Sequence, residues 1–329
     1  LEKLKVVDAE TLLNSPLAQV NYIVDEILPI GLHLFCGAPK VGKSWFMLKL
    51  CLQVSKGEDF WNFKTNKCDV LYMCLEDTYA RLQNRLFKLT DVANKELRFA
   101  TFTNGLANGL IQQLEDFLQD YPQTKLIVID TLQKIRKASN DISYAGDYGD
   151  VSILKQLADK YKIAIILVHH IRKQGDSDVF NKVSGTTGIM GSADTTFVLE
   201  KRNRSDCNAT LYVTGRDIEY QEFTLRLDNC SWELVSRASQ QEIEIRETPD
   251  VIFKVMEYID GKGSFKGSAT ELLEEIKVTN IAPNIITKLL NEYRLGILKE
   301  NNISYDYVRE HNGRCIVLKK RDSCDSCVS

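Results

Sequence analysis

The sequence predicts an α/β fold: a mostly parallel sheet covered on both faces, extended by an antiparallel edge and followed by a small α+β domain. Three observations predict it. Apolar runs such as "KLIVID" (125–130) and "IAIILVHH" (163–170) are continuous, the pattern of strands buried on both faces. Segments with helical spacing separate them, for example "DTYARLQNRLFKL" (77–89). Later, "TTFVLEK", "NATLYVTGR" and "EFTLRLD" alternate polar and apolar residues, as hairpin strands do, up to Trp232.

Each element follows in order. Residues 1–30 read as an approach segment ending at Pro29. A strand over Gly31 to Cys36 leads into a glycine loop and a helix from about Lys43 to Ser55. "CDVLYMCLED" (68–77) is a buried strand that ends in acid. A short strand near Arg98 to Thr103, a helix over Gly109 to Asp120 and a helix from about Gly149 to Tyr161 fill the intervals. "IRKQGDSDVFNKVSGTTG" (171–188) reads as a long polar loop, and the large domain spans 31–235.

A polar stretch over 236–250 suits a linker. Residues 251–321 then give a helix (Val251 to Ile259), a turn (Gly261 to Gly267) and two more helices (Ala269 to Lys277, Pro283 to Tyr293). Two strand-like runs follow, "GILKE" and "CIVLKK", separated by a polar hairpin: the order of a winged-helix-like domain. Residues 322–329 form a disordered tail in which Cys324 and Cys327 are expected as free thiols.

Composition sets limits. A net charge of −3 on 329 residues gives no overall polycation to draw the protein to nucleic acid, so any such contact must come from local basic loops. Nine cysteines are scattered without a repeating framework, and Cys36, Cys51 and Cys74 lie in apolar runs as small hydrophobes. With no apolar run of membrane-spanning length, the expectation is a reduced, soluble, cytoplasmic protein with no membrane partner. The chain begins with Leu1, which suits a piece cut from something longer.

The chemistry starts at "GAPKVGKS" (37–44). This GxxxxGKS loop between a strand and a helix is a phosphate loop for ATP, with backbone N–H groups and the helix N-terminus turned toward phosphate oxygens. Gly37, Ala38, Pro39, Lys40, Val41, Gly42, Lys43, Ser44 and Trp45 make up the expected nucleotide-contact set, with Pro39 and Lys40 at variable positions. Lys43 is assigned to the β- and γ-phosphates and the Ser44 hydroxyl to Mg²⁺. Asp130, ending "LIVID", supplies the second metal-holding group. The next residue is Thr131, so the water-activating base must come from elsewhere, and Glu76 at the end of "VLYMCLE" is the candidate. Asp77 is the runner-up, better suited to capping the following helix. His169 and His170 end the next strand and point to opposite faces, so one of them is expected near the phosphates.

The order of these groups resembles the RecA-like, DnaB-like hexameric helicases, and most closely the plasmid RepA-type ATPases. The matching stretches are "GLHLFCGAPKVGKSW", "VLYMCLEDTYARLQNRL", "LIVIDTLQ", "ILVHHIRK", "VSGTTGIMGSADTTFVLEK" and "YVTGRDIE", spread over Tyr22 to Trp232. The resemblance implies a RecA-like core that hydrolyses ATP at the subunit interfaces of a homohexameric ring, with DNA threaded through the centre. It also implies that the loops carrying Lys134, Arg136 and Lys137, and Arg172, Lys173 and Lys182, face that channel as candidate phosphate-backbone contacts.

Arg216 follows a strand at a hairpin turn, where a long cation can reach outward, and the resemblance implies a finger near it that acts on the neighbouring subunit's ATP. Arg202 and Arg204 are its nearby rivals. The expected function is therefore a ring-shaped replicative helicase moving on single-stranded DNA, with an initiator or primase protein as a further partner. Two alternatives are a recombinase-like filament and a nucleotide-gated initiator or adaptor working through the winged helix.

Overall fold

The computed structural model describes residues 4, 6–16, 20–92, 94–136, 144–171, 178–183, 187–203, 205–310 and 313–321. The chain forms two compact units, Leu1–Ser239 and Gln240–Ser329.

The first unit opens with α1 (Ala9–Asn14), capped by Asp8, whose carboxylate accepts from the Thr11 N–H. A hairpin of β1 (Tyr22–Val24) and β2 (Leu28–Pro29) follows. It sends Ile23, Val24 and Leu28 into the core, so the approach segment contributes to packing as well as leading in. Next come β3 (Gly31–Gly37), α2 (Lys43–Lys56), β4 (Asp69–Cys74), α3 (Tyr79–Leu89) and β5 (Leu97–Ala100). After them stand α4 (Leu110–Asp120), β6 (Thr124–Asp130), α5 (Leu132–Ile135), α6 (Tyr144–Tyr161) and β7 (Ala164–His170). The unit closes with α7 (Thr187–Ser192), β8 (Thr195–Glu200), β9 (Asn208–Gly215), β10 (Gln221–Asp228) and β11 (Ser231–Ser239).

One nine-stranded sheet organises these elements, in the order β11-β10-β9-β8-β3-β7-β6-β4-β5. From β8 to β5 the neighbours are parallel, and β8 to β11 are antiparallel. This is an α/β, RecA-like P-loop NTPase core with a mixed sheet. Strand alternation sorts the side chains. Tyr72, Cys74, Val128 and Val168 pack on the face covered by α2, while Met73, Ile127, Ile129 and Leu167 pack under α4 and α6. Each fully buried aliphatic side chain contributes roughly 1.5–3 kcal/mol. The sheet is therefore fixed in register, and with it the edge where β3, β4, β6 and β7 end.

The second unit contains α8 (Gln240–Glu247), α9 (Asp250–Lys262), β12 (Ser264–Gly267), α10 (Ala269–Glu275), α11 (Pro283–Glu292), α12 (Ile297–Glu300), β13 (Ile303–Glu310) and β14 (Gly313–Lys320). Its antiparallel sheet has the order β12-β14-β13. Ser268 and Glu271 form a reciprocal capping box at the start of α10, and Pro283 opens α11 where no amide proton is needed.

Two local expectations are corrected. "GILKE" is not a strand: Ile297 and Leu298 are both buried, and the segment is the short helix α12. The strand lies in the polar stretch after it, where Ile303 and Tyr305 alternate inward along β13. The expected linker 236–250 is ordered: Ser236–Ser239 extend β11 against β10, and Gln240–Glu247 form α8. The tail 322–329, with Cys324 and Cys327, lies outside the described residues.

Candidate active site

The phosphate loop joins the end of β3 to the start of α2. Gly42 adopts φ 108° there, a left-handed conformation that favours glycine, and among the described residues no side chain caps the first turn of α2. A Cβ on Gly42 would also meet the Trp232 indole at 3.0 Å. The uncapped N–H groups of α2 are thus left to a ligand with acceptor oxygens, and ATP phosphates fit that need. Ala38 is half-buried, Pro39 and Lys40 are exposed, and Val41 is buried. Trp45 stands beside the Arg85 guanidinium (5.4 Å from its ring centre) and Lys88 (5.9 Å).

Lys43 is 6% exposed. Its Nζ donates to Gly37 O (2.8 Å) and Ala38 O (3.0 Å) and lies 3.2 Å from His170 Nδ1. Those three acceptors match the three donors of an ammonium. Burial pushes its pKa down to about 8.

The Ser44 hydroxyl donates to Asp130 Oδ2 at 2.7 Å, tying α2 to the end of β6. Asp130 is buried, and burial raises its carboxyl pKa while the bonds from Ser44 and Tyr72 oppose that rise. A hydroxyl and a carboxylate held together are hard oxygen donors suited to Mg²⁺.

Glu76 stands two residues beyond β4, in the turn that leads to α3. It is exposed, and its Oε1 accepts from the Thr131 hydroxyl at 3.3 Å. Asp77 takes a different part: it pairs with Arg81 (2.8 Å) and with Arg85, both on α3. The cap of α3 is Thr78, which accepts from the Arg81 N–H, so the capping role expected of Asp77 belongs to its neighbour. Of the two histidines, His170 is the one beside Lys43; His169 is buried on the face under α4 and α6. The His170 pKa is lowered, by burial first and the Lys43 charge second.

Arg216 lies elsewhere. β9 runs antiparallel to β8, pairing Gly215 with Thr195, so Arg216 sits at the sheet edge opposite the phosphate loop. Its side chain is 62% exposed, contacts Asp194 at 3.5 Å and donates to Gly191 O at 3.3 Å. Arg202 is exposed after β8, and Arg204 lies outside the described residues. Lys137, Arg172 and Lys173 do too. Among the remaining basic-loop candidates, Lys134 is exposed, Arg136 pairs with Asp150 at 3.2 Å, and Lys182 pairs with Glu200 at 2.9 Å.

Two site residues escape sequence reasoning. The Tyr72 hydroxyl donates to Asp130 Oδ2 at 3.0 Å, and the Trp232 indole N–H donates to Gly42 O at 3.2 Å. Tyr72 reads as one more core residue of its strand. Trp232 is distant in sequence, and only the strand order brings β11 back over α2.

Comparison with known proteins adds the family. Residues 1–176, more than half of the chain, match the AAA domain family. No curated protein matches. Among solved structures, an ATPase domain superposes with a TM-score of 0.51 at 14% identity, covering 63% of this chain and 85% of that one. A DnaB-like replicative helicase, described with its interactions with primase, gives 0.50 at 14% identity, covering 62% of this chain and 57% of that one. At such identity the likeness is one of fold. Among the described residues no helix is long and apolar enough to cross a membrane.

Proposed function

The chain belongs to the AAA domain family, an ATP-binding branch of the helicase and ATPase superfamily, and from that premise we propose that it is a DNA-dependent ATPase, a ring-shaped replicative helicase that moves on single-stranded DNA. The observation that carries the reading is the convergence of Lys43, Ser44, Asp130 and Glu76 at one sheet edge, with Ser44 and Asp130 in direct contact.

Each residue has a task in hydrolysis. Lys43 exchanges its loop carbonyls for phosphate oxygens, and an anionic partner restores the charge that burial disfavours. The N–H groups of α2 hold the phosphates at its uncapped end. Ser44 and Asp130 would hold Mg²⁺, which supplies neutralising charge to the β- and γ-phosphates. Glu76, held by Thr131, takes the proton of the attacking water as its oxygen bonds to the γ-phosphorus and the bond from that phosphorus to the β–γ bridging oxygen breaks, so ADP leaves with that oxygen. His170 stays neutral and accepts from Lys43, fixing the ammonium.

Arg216 stands on the edge opposite its own phosphate loop, so it is assigned to a neighbouring subunit's nucleotide. Lys134 is the leading DNA contact among the described residues, since Arg136 and Lys182 have carboxylate partners. The second unit fits a winged-helix-like module for DNA or for an initiator or primase protein. Exposed Ile285 and Leu295 on and beyond α11 favour a protein partner. A cytoplasmic location belongs to the same proposal.

Electron microscopy with ATP and single-stranded DNA tests the assembly. Closed rings support the helicase. Filaments support a recombinase-like ATPase, and single particles support a nucleotide-gated adaptor.

A further inference from the structure

Tyr72 is 1% exposed and lies on β4, paired in register with Val128 of β6, two residues before Asp130. Its hydroxyl reaches Asp130 Oδ2 at 3.0 Å and Ser44 O at 3.4 Å. The same Oδ2 accepts from the Ser44 hydroxyl at 2.7 Å. Two donors on one oxygen stop the carboxylate from rotating, and among the described residues they leave Oδ1 as the oxygen with no donor of its own. We infer that Tyr72 is a positioning residue for the metal end of the site, aiming the free oxygen of Asp130 at the hydrated cation while holding the first turn of α2 in place.

The inference rests on the proposed reading of Ser44 and Asp130 as the Mg²⁺-holding pair. It explains a phenol where a core strand needs only apolar bulk. Tyrosine suits the place because its hydroxyl is carried at the end of a rigid ring, with fewer torsions than a lysine or glutamine of similar reach. A phenol carries its proton at neutral pH, so the hydroxyl donates to the carboxylate. The ring itself packs 6.1 Å from Phe99, and a phenylalanine would keep that contact.

The test is Tyr72→Phe beside wild type, with two binding measurements. Nucleotide affinity is measured in EDTA from tryptophan fluorescence. Mn²⁺ affinity of the complex with a non-hydrolysable ATP analogue is measured by electron paramagnetic resonance. The expected result is unchanged metal-free nucleotide affinity with Mn²⁺ binding weakened about tenfold, the effect of one lost hydrogen bond to a charged group.

Equal Mn²⁺ affinity in the two proteins overturns the inference. So does a parallel loss of metal-free affinity, which makes Tyr72 a packing residue only. If Tyr72→Phe folds poorly, Tyr72→Leu removes the same hydroxyl and must give the same split. Wild-type protein that binds no nucleotide contradicts the proposed function itself, a distinct outcome from failure of the Tyr72 inference alone.

Discussion

The Nδ1 atom of His170 lies 3.2 Å from the Nζ atom of Lys43, so a neutral imidazole faces an ammonium at the phosphate end of the sheet. An ammonium only donates, so Nδ1 accepts and the ring proton is on Nε2. Protonating His170 would set two cations against each other.

A pH-dependent stability follows. Folding lowers the His170 pKa, so between the ordinary imidazole value (about 6.5) and the lower folded one, the unfolded chain binds more protons. Stability therefore falls as pH drops through that window. Denaturant midpoints of wild type and His170→Asn, followed downward from neutral pH, check this: the wild-type midpoint should fall more steeply. Parallel curves would remove the coupling.

Glu76→Gln keeps the reach of the side chain and its contact with Thr131 while removing the base. Nucleotide binding should persist, and hydrolysis should fall by about 10² to 10⁴. Asp77→Asn should act through α3 instead, because Arg81 and Arg85 hold that carboxylate. Single-turnover hydrolysis of both variants distinguishes them. A reversed result moves the base by one residue.

Trp232→Phe removes the indole donor to Gly42 O and leaves most of the ring volume. Losing one such bond, at about 0.5–1.5 kcal/mol, should weaken nucleotide affinity by roughly 2- to 12-fold. Calorimetric titration with an ATP analogue measures it. Unchanged affinity would mean that the outer strand does not shape the loop.

For DNA, Lys134→Ala should reduce the salt dependence of single-strand binding by about 0.7 in log–log slope, the share of one phosphate contact. Lys182→Ala should leave the slope unchanged, because Glu200 already holds that ammonium. Fluorescence anisotropy across a salt series reads both. The opposite pattern would place the DNA on the other loop.

Much of this site was legible because its signals are local. The glycine loop names its own chemistry, and an acid directly after the buried run "VLYMCL" marks the strand end where Glu76 meets Thr131. What stayed hidden depends on the sheet. Tyr72 looks like core until β4 is known to lie beside β6, and Trp232 meets Gly42 only because β11 folds over α2. Polar Ser236–Ser239 resemble a linker, yet pairing with β10 uses backbone groups and makes no demand on their side chains. In "GILKE", one short apolar run fits a strand or a helical turn equally well, and the inward alternation of Ile303 and Tyr305 was the better strand signal. Lys182 shows the limit for charges: sequence gives the cation but not the carboxylate across from it.

The central claim is that the loop over Gly37–Ser44 drives ATP hydrolysis. Steady-state phosphate release by wild type and Lys43→Ala, with and without single-stranded DNA, tests it most directly. The account predicts turnover by wild type that rises with DNA, and loss of turnover in a folded Lys43→Ala protein in both conditions. Near wild-type turnover by Lys43→Ala, or a wild-type protein that releases no phosphate in either condition, would contradict it.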